Sequence, residues 1–140
     1  MRKLQYHIFV DTNVLVNCFV GTAADVACMH YLYALQGKRL YISALSIAQL
    51  IALLQKRHDK EEIRKYVLQV LHHFVVVSCT DADIKSALEI EGGDIEDNIQ
   101  YCISQKVKCP VLITNNLKDY RHYDNIACVI RPSEVRTIKR

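Results

Sequence analysis

Five short apolar runs, at residues 7–10, 40–42, 75–77, 111–113 and 126–130, alternate with longer segments of helical character. A strand of a few consecutive apolar residues needs cover on both faces. Parallel strands joined by helical crossovers supply that cover, so the pattern predicts an α/β protein built on a parallel sheet. A polar turn at residues 11–13 leads into a helical pattern through Val20, and further helices are predicted at residues 23–35, 45–55, 61–74, 81–90 and 94–107, with a short turn or helix ending at Tyr120. Gly37 supplies the second helix with a C-terminal stop, and Gly92-Gly93 breaks the chain before the last long one. In residues 61–74, Ile63, Tyr66, Val67, Val70, Leu71 and Phe74 recur at helical spacing while Arg64, Lys65 and Gln69 fall elsewhere. Residues 45–55 are apolar on most sides, which predicts a deeply buried helix.

At 140 residues the chain matches one ordinary domain, spanning 1–140. With 51% hydrophobic and 24% charged residues, four Gly and two Pro, it fits neither a disordered nor a collagen-like class. Arg2 and Lys3 precede apolar residues, but His7, Asp11, Thr12 and Asn13 interrupt the run, so no secretory signal is expected. The most apolar stretch, residues 42–54, contains Ser43, Ser46 and Gln49 and falls short of the about 20 residues a membrane span needs. No membrane association is expected. Six cysteines, at 18, 28, 79, 102, 109 and 128, show neither a C-x-x-C pair nor zinc-type spacing to His. They read as reduced core residues, which predicts a cytoplasmic protein. A net charge of +3 permits an anionic partner without the strongly basic footprint of a dedicated nucleic-acid binder.

Parallel sheets present functional residues just beyond the carboxyl ends of their strands. Three polar segments qualify: Phe9-Val10-Asp11-Thr12-Asn13, Asp94-Ile95-Glu96-Asp97-Asn98, and Ile113-Thr114-Asn115-Asn116-Leu117-Lys118-Asp119-Tyr120. If the first and fourth strands are neighbours, all three reach one end of the sheet. Carboxylates crowded there repel one another and raise at least one pKa unless a cation neutralises them. Hard oxygen donors suit Mg²⁺ or Mn²⁺, and such an ion polarises phosphate and activates water. That is chemistry for cleaving phosphodiesters.

These segments resemble the motifs of the PIN domains, many of which are metal-dependent ribonucleases and the toxin halves of bacterial toxin-antitoxin pairs. VDTNVL resembles the opening motif, in which Asp11 would bind metal while Thr12 and Asn13 hold the site together. DIEDNIQY resembles the acidic helix start, placing Asp97 at a metal-binding position with Asp94 and Glu96 as nearby acids. ITNNLKDY resembles the final motif, where Thr114 would orient the site, Asn116 takes a position often held by Asp, and Asp119 adds a carboxylate. The resemblance spans nearly the whole chain. It implies a three-layer α/β/α fold with a central, mostly parallel five-stranded sheet. It also implies an endoribonuclease using Mg²⁺ or Mn²⁺, with Asp11, Asp97 and Asp119 catalytic and Asn116 sharing the metal. RNA as substrate, an antitoxin protein as partner and a homodimer follow from the resemblance alone. One departure matters: ISALSIAQLIALL resembles the helix after strand two, yet Gln49 stands where an acidic Glu is usual. Gln offers a carbonyl oxygen but no charge, so a weakened RNA- or protein-binding module is the alternative.

Structural roles compete at each position. Asp11 fits a helix N-cap, and Asp94 reads as the cap of its helix, with Asp97 facing the metal. Ser46-Ile47-Ala48-Gln49 fits a capping box, in which Gln49 reaches back to the Ser46 backbone. Thr114 and Asn116 fit a turn, and Asp119 fits a cap or a pair with Lys118 or Arg121. Lys56, Arg57, His58, Lys60, Arg64 and Lys65 read as a solvated face, and Tyr120 and Tyr123 as packing residues. A phosphoryl-transfer or receiver-like domain would also gather strand-end aspartates, but the chain has no G-x-x-x-x-G-K-[ST] loop and no Lys in the turn after strand five.

Overall fold

The computed structural model describes residues 6–120, 123 and 128–138. The elements run β1 (Tyr6–Val10), α1 (Thr12–Val20), α2 (Ala23–Ala34), β2 (Lys38–Ser43), α3 (Ala44–Leu54), α4 (Lys60–His73), β3 (Val75–Val77), α5 (Asp81–Leu88), α6 (Ile95–Lys106), β4 (Val111–Ile113), α7 (Leu117–Tyr120) and β5 (Cys128–Ile130). A 3₁₀ helix over Pro132–Thr137, which the sequence reading leaves unassigned, follows β5. The five strands form one sheet in the order β3-β2-β1-β4-β5, and every pairing is parallel. Strands one and four are therefore neighbours, as the site reading requires.

Alternation along the strands divides the core between the two sheet faces. Ile8, Val10, Leu40, Ile42 and Ile113 share one apolar cluster with Leu15, Met29, Leu32, Leu50, Ile63 and Val70 from α1 to α4, and with Val135 and Ile138. Phe9, Tyr41, Val77 and Leu112 point the other way, into a cluster with Ile103 of α6 and Tyr120 of α7. Burying one such aliphatic or aromatic side chain stabilises the fold by about 1.5–3 kcal/mol. Helices thus cover both faces, giving the expected α/β/α layering.

The ends of the helices follow local chemistry. Gly21 closes α1 at φ 91°, a left-handed conformation, and its N–H donates to the Asn17 and Cys18 carbonyls. Thr80 and Asp83 form a reciprocal capping box at the start of α5.

Several expectations need correction. Helix α3 is not deeply buried on all sides: Ser46, Leu50 and Leu54 face the interior, while Ala48, Ala52 and Leu53 are exposed. Its Ser46–Gln49 segment is not a capping box, because the N-cap is Ser43, whose Oγ accepts from the Ser46 N–H at 2.9 Å. Gln49 is thereby free to turn towards α1 and α6. The six cysteines are free thiols, but only Cys28 and Cys109 are buried, and Cys128 is exposed on β5. Ile126 and Ala127, expected to open the fifth strand, lie outside the described residues, as do Arg2, Lys3 and Arg121. Among the described residues, no single helix is long and apolar enough to cross a membrane.

Candidate active site

Strand register brings the site together. Val10 pairs with Ile113, so Asp11 and Thr114 leave the sheet side by side, and the Asp11 N–H donates to the Ile113 carbonyl at 2.9 Å. On the other flank, Phe9 pairs with Tyr41, which brings Ser43 level with Asp11 two residues further on. Three polar side chains therefore stand abreast where three apolar strands end.

Asp11 caps α1, its Oδ1 accepting from the Thr12 N–H at 2.8 Å. Its Oδ2 accepts from the Thr114 hydroxyl at 2.8 Å and from Asn13 Nδ2 at 3.0 Å. The cap and the site are the same contact, since both need a fixed carboxylate at this strand end. Burial raises the Asp11 pKa, while the hydrogen bonds from Thr114 and the Thr12 backbone, the nearby Tyr120 hydroxyl, and the hydrogen bond from Asn13 pull it part of the way back. The fully buried Tyr120 hydroxyl lies beside Asp11 and Asp97, yet among the described residues it reaches no partner at hydrogen-bonding geometry.

Asn13 is held in turn. Its Oδ1 accepts from the Asn115 N–H at 3.0 Å and from Asn115 Nδ2 at 3.1 Å, and Asn115 Nδ2 also donates to the buried Asp25 at 2.9 Å. Thr114 Oγ1 accepts from the Asn116 N–H at 3.0 Å, fixing the turn after β4.

Asp97 comes from the first turn of α6. Asp94 caps that helix by accepting from the Asp97 N–H at 3.1 Å. The turn is anchored by buried Asn98, which donates to the Gly92 carbonyl at 3.1 Å and accepts from the Tyr123 hydroxyl. Tyr123 stacks on Tyr101 with ring centroids 4.1 Å apart. Both Tyr120 and Tyr123 are thus packing residues, as expected.

Asp11, Thr12, Asn13, Gln49, Glu96, Asp97, Gln100 and Asn116 line one open cleft of about 390 Å³, with Ala52 and Leu53 on its apolar rim. The Asp97 pKa is pushed up to about 7, first by burial and then by the charges of Asp11, Asp119, Asp94 and Glu96. Asp119 is exposed and lines an adjoining groove with Asn115, Lys118 and Arg131, which shares Asn116 with the cleft, and its charge acts on Asp97. The structure therefore places Asp119 beside the cleft and not on its wall.

The donor set is carboxylate and amide oxygen, the hard kind that suits Mg²⁺ or Mn²⁺. Among the described residues, no three His, Cys, Asp or Glu side chains are already gathered around one point. A hydrated ion of the Mg²⁺ class needs only one or two protein carboxylates, with water and substrate completing its shell.

A family model described as PIN domain matches residues 8–125. The chain belongs to the PIN domain family. A relative of this PIN domain, "Ribonuclease VapC1" of Aquifex aeolicus (strain VF5), is 24% identical over 125 residues, covering 81% of the chain and 83% of the relative. Among solved structures, VapBC2 from Rickettsia felis, bound to a DNA fragment from the promoter, superposes with a TM-score of 0.69 at 16% identity, covering 89% of this chain and 98% of that one. VapC20 of Mycobacterium tuberculosis, described as a sarcin-ricin loop cleaving toxin, gives 0.61 at 17% identity, with 75% and 86% covered. These likenesses agree with the parallel sheet and its helical layers.

Four buried polar residues of this PIN domain escaped the sequence reading as members of the site: Ser43, Ser46, Gln100 and Asp25. Gln100 Nε2 lies 2.7 Å from Ser46 Oγ, and Ser43 Oγ lies 2.7 Å from Gln100 Oε1. The available signal was periodicity. Gln100 sits one turn after Asp97 on the inward side of α6, where an apolar residue is the default.

Proposed function

We propose that this PIN domain is a metal-dependent endoribonuclease of the toxin type. The observation that carries the reading is the pairing of Asp11 and Asp97 in one cleft, with the Asp97 pKa pushed up to about 7, first by burial and then by the charges of its acidic neighbours. Asp11 and Asp97 would hold Mg²⁺ or Mn²⁺ with Asn116 at the edge, and Asp119 would add negative field from the adjacent groove. Once bound, the ion supplies charge neutralisation on a phosphodiester and a better water nucleophile at neutral pH. The chain's own part is orientation. Thr12, Asn13 and Thr114 leave Asp11 one position, Asp94 fixes the first turn of α6 under Asp97, and Gln49 braces the opposite wall.

RNA as substrate is supported by the names of the Aquifex aeolicus ribonuclease and the Mycobacterium tuberculosis toxin. An antitoxin partner is supported by the Rickettsia felis complex and by a Klebsiella pneumoniae toxin-antitoxin complex that superposes with a TM-score of 0.66 at 19% identity over 89% of this chain and 97% of that one. A homodimer and a cytoplasmic location complete the proposal. The neutral amides Gln49 and Asn116 favour a second reading, a binding module that keeps the fold without the chemistry.

Manganese-dependent cleavage of an unstructured RNA by the wild type and by Asp11→Ala and Asp97→Ala variants tests the enzyme reading. Cleavage that collapses in both variants supports it. Equal cleavage by all three identifies a contaminating nuclease and ends the proposal.

A further inference from the structure

The shortest hydrogen bonds between β2, α1, α3 and α6 are all satisfied by one direction of donation. Gln49 Nε2 donates to Glu96 Oε2 at 2.5 Å, because a carboxylate only accepts; this turns Gln49 Oε1 towards Thr12. Thr12 Oγ1, 2.8 Å from that oxygen, must spend its single proton there. The 2.7 Å contact between Thr12 Oγ1 and Ser46 Oγ is then made with the Ser46 proton. Ser46 in turn accepts from Gln100 Nε2 at 2.7 Å, and Gln100 Oε1 accepts from Ser43 at 2.7 Å. Gln100 Nε2 also lies 3.4 Å from Gln49 Oε1, which excludes the flipped Gln100 amide that would set two carbonyl oxygens against each other. Every donor points one way, from Ser43 through Gln100, Ser46, Thr12 and Gln49 to Glu96.

A glutamate at position 49 would break this chain at its last link. Its carboxylate would still accept from Thr12, but it would oppose the Glu96 oxygen at a distance where two anions repel. Gln49 and Glu96 therefore belong together. Glu96 lines the same cleft as Asp11 and Asp97, whereas Asp119 faces the neighbouring groove.

We propose that Glu96 is the third carboxylate of the metal site, carrying the negative charge that position 49 lacks, and that Gln49 is the positioning residue that holds it at the cleft. This rests on the metal-dependent reading given above. It explains why an amide at position 49 is compatible with a working site: the charge has moved one hydrogen bond outward, from α3 to α6.

The test is calorimetric titration of the full chain with Mn²⁺, comparing the wild type with Glu96→Gln, the exchange variant Gln49→Glu/Glu96→Gln, and Asp11→Asn. Thermal melts of each confirm folding, which the exposed position of Glu96 makes undemanding. Removing a carboxylate from the site should weaken Mn²⁺ binding about 10–100-fold in Glu96→Gln. The exchange variant keeps the hydrogen bond with its direction reversed and should recover most of that affinity. Wild-type affinity in Glu96→Gln, with binding lost in Asp11→Asn, overturns the role of Glu96 and leaves the metal reading standing. Wild-type affinity in Asp11→Asn overturns both. An exchange variant as weak as Glu96→Gln overturns the relocation of charge.

Discussion

Thr114 donates its hydroxyl proton to Asp11 at 2.8 Å, joining two residues 103 positions apart through the register of two central strands. The same oxygen accepts from the Asn116 N–H at 3.0 Å, so one buried hydroxyl both orients the carboxylate and shapes the turn. Replacing Thr114 by Val keeps the shape and removes both functions. It should cost about 1–3 kcal/mol in urea unfolding, the usual penalty for stranding buried polar partners. Mn²⁺ affinity should fall about 10–100-fold, as for other supports of a metal ligand. A variant with unchanged affinity would mean that Asp11 is held well enough by Thr12 and Asn13.

Asp97 sets the pH response of the metal-free protein. With its pKa pushed from 3.8 to about 7, the folded chain holds a proton that the unfolded chain has released. The folded state is therefore favoured most below 3.8, and that advantage is lost as pH rises towards 7. The melting temperature should decline across this window, and Asp97→Asn should flatten the decline. Divalent cation competes with the same proton, so added Mg²⁺ should raise the melting temperature more above pH 7 than near pH 5. An equal rise at both values would break the link between Asp97 and the metal.

Asp83 predicts the opposite sign at a site remote from the cleft. Burial alone would raise its pKa, but the Lys106 ammonium at 2.8 Å and the Thr80 backbone and hydroxyl together hold it below 3.8. Its contribution is present above 3.8 and is lost as pH falls through the depressed folded value. Lys106 is partly exposed, so Asp83→Asn should cost only about 1 kcal/mol at neutral pH. The gap from wild type should close in acid; a gap that persists would assign the loss to the capping box alone.

Gln100 and Ser43 act as one unit. Gln100→Leu takes the amide partner from both Ser43 and Ser46, and should destabilise by about 1–3 kcal/mol. Adding Ser43→Ala to that variant should cost less than Ser43→Ala alone, because only the α3 N-cap remains to be lost, a coupling of about 0.5–3 kcal/mol in a double-mutant cycle. Additive losses would disprove the directional chain.

The sheet was legible because its strands carry little besides apolar residues, and because Asp11 and Thr114 follow two of them directly. Helix α3 was misread for a related reason. Its composition is apolar almost throughout, and composition does not say which side meets the rim of a cleft, as Ala52 and Leu53 do. Gln49 was ambiguous because S-x-x-Q is a local signal, whereas the contacts that decide its role, Thr12 and Glu96, lie 37 and 47 residues away. Asp119 sat in the right motif, and its place in the groove adjoining the cleft follows from a single turn of helix after Asn116, a rotation that no spacing rule resolves. The Ser43–Gln100 contact spans 57 residues and leaves no trace in either local pattern.

The placement of β4 beside β1 also has a temporal meaning. Residue 11 is made early and residue 114 late, and the strand that completes the surroundings of Asp11 starts only at Val111. A truncated product of translation that stops before that strand possesses the first aspartate but neither the hydroxyl nor the turn that fixes it. For a chain whose proposed activity destroys RNA, this arrangement ties competence to synthesis past β4, because a fragment that stops before Val111 lacks the groups that fix Asp11.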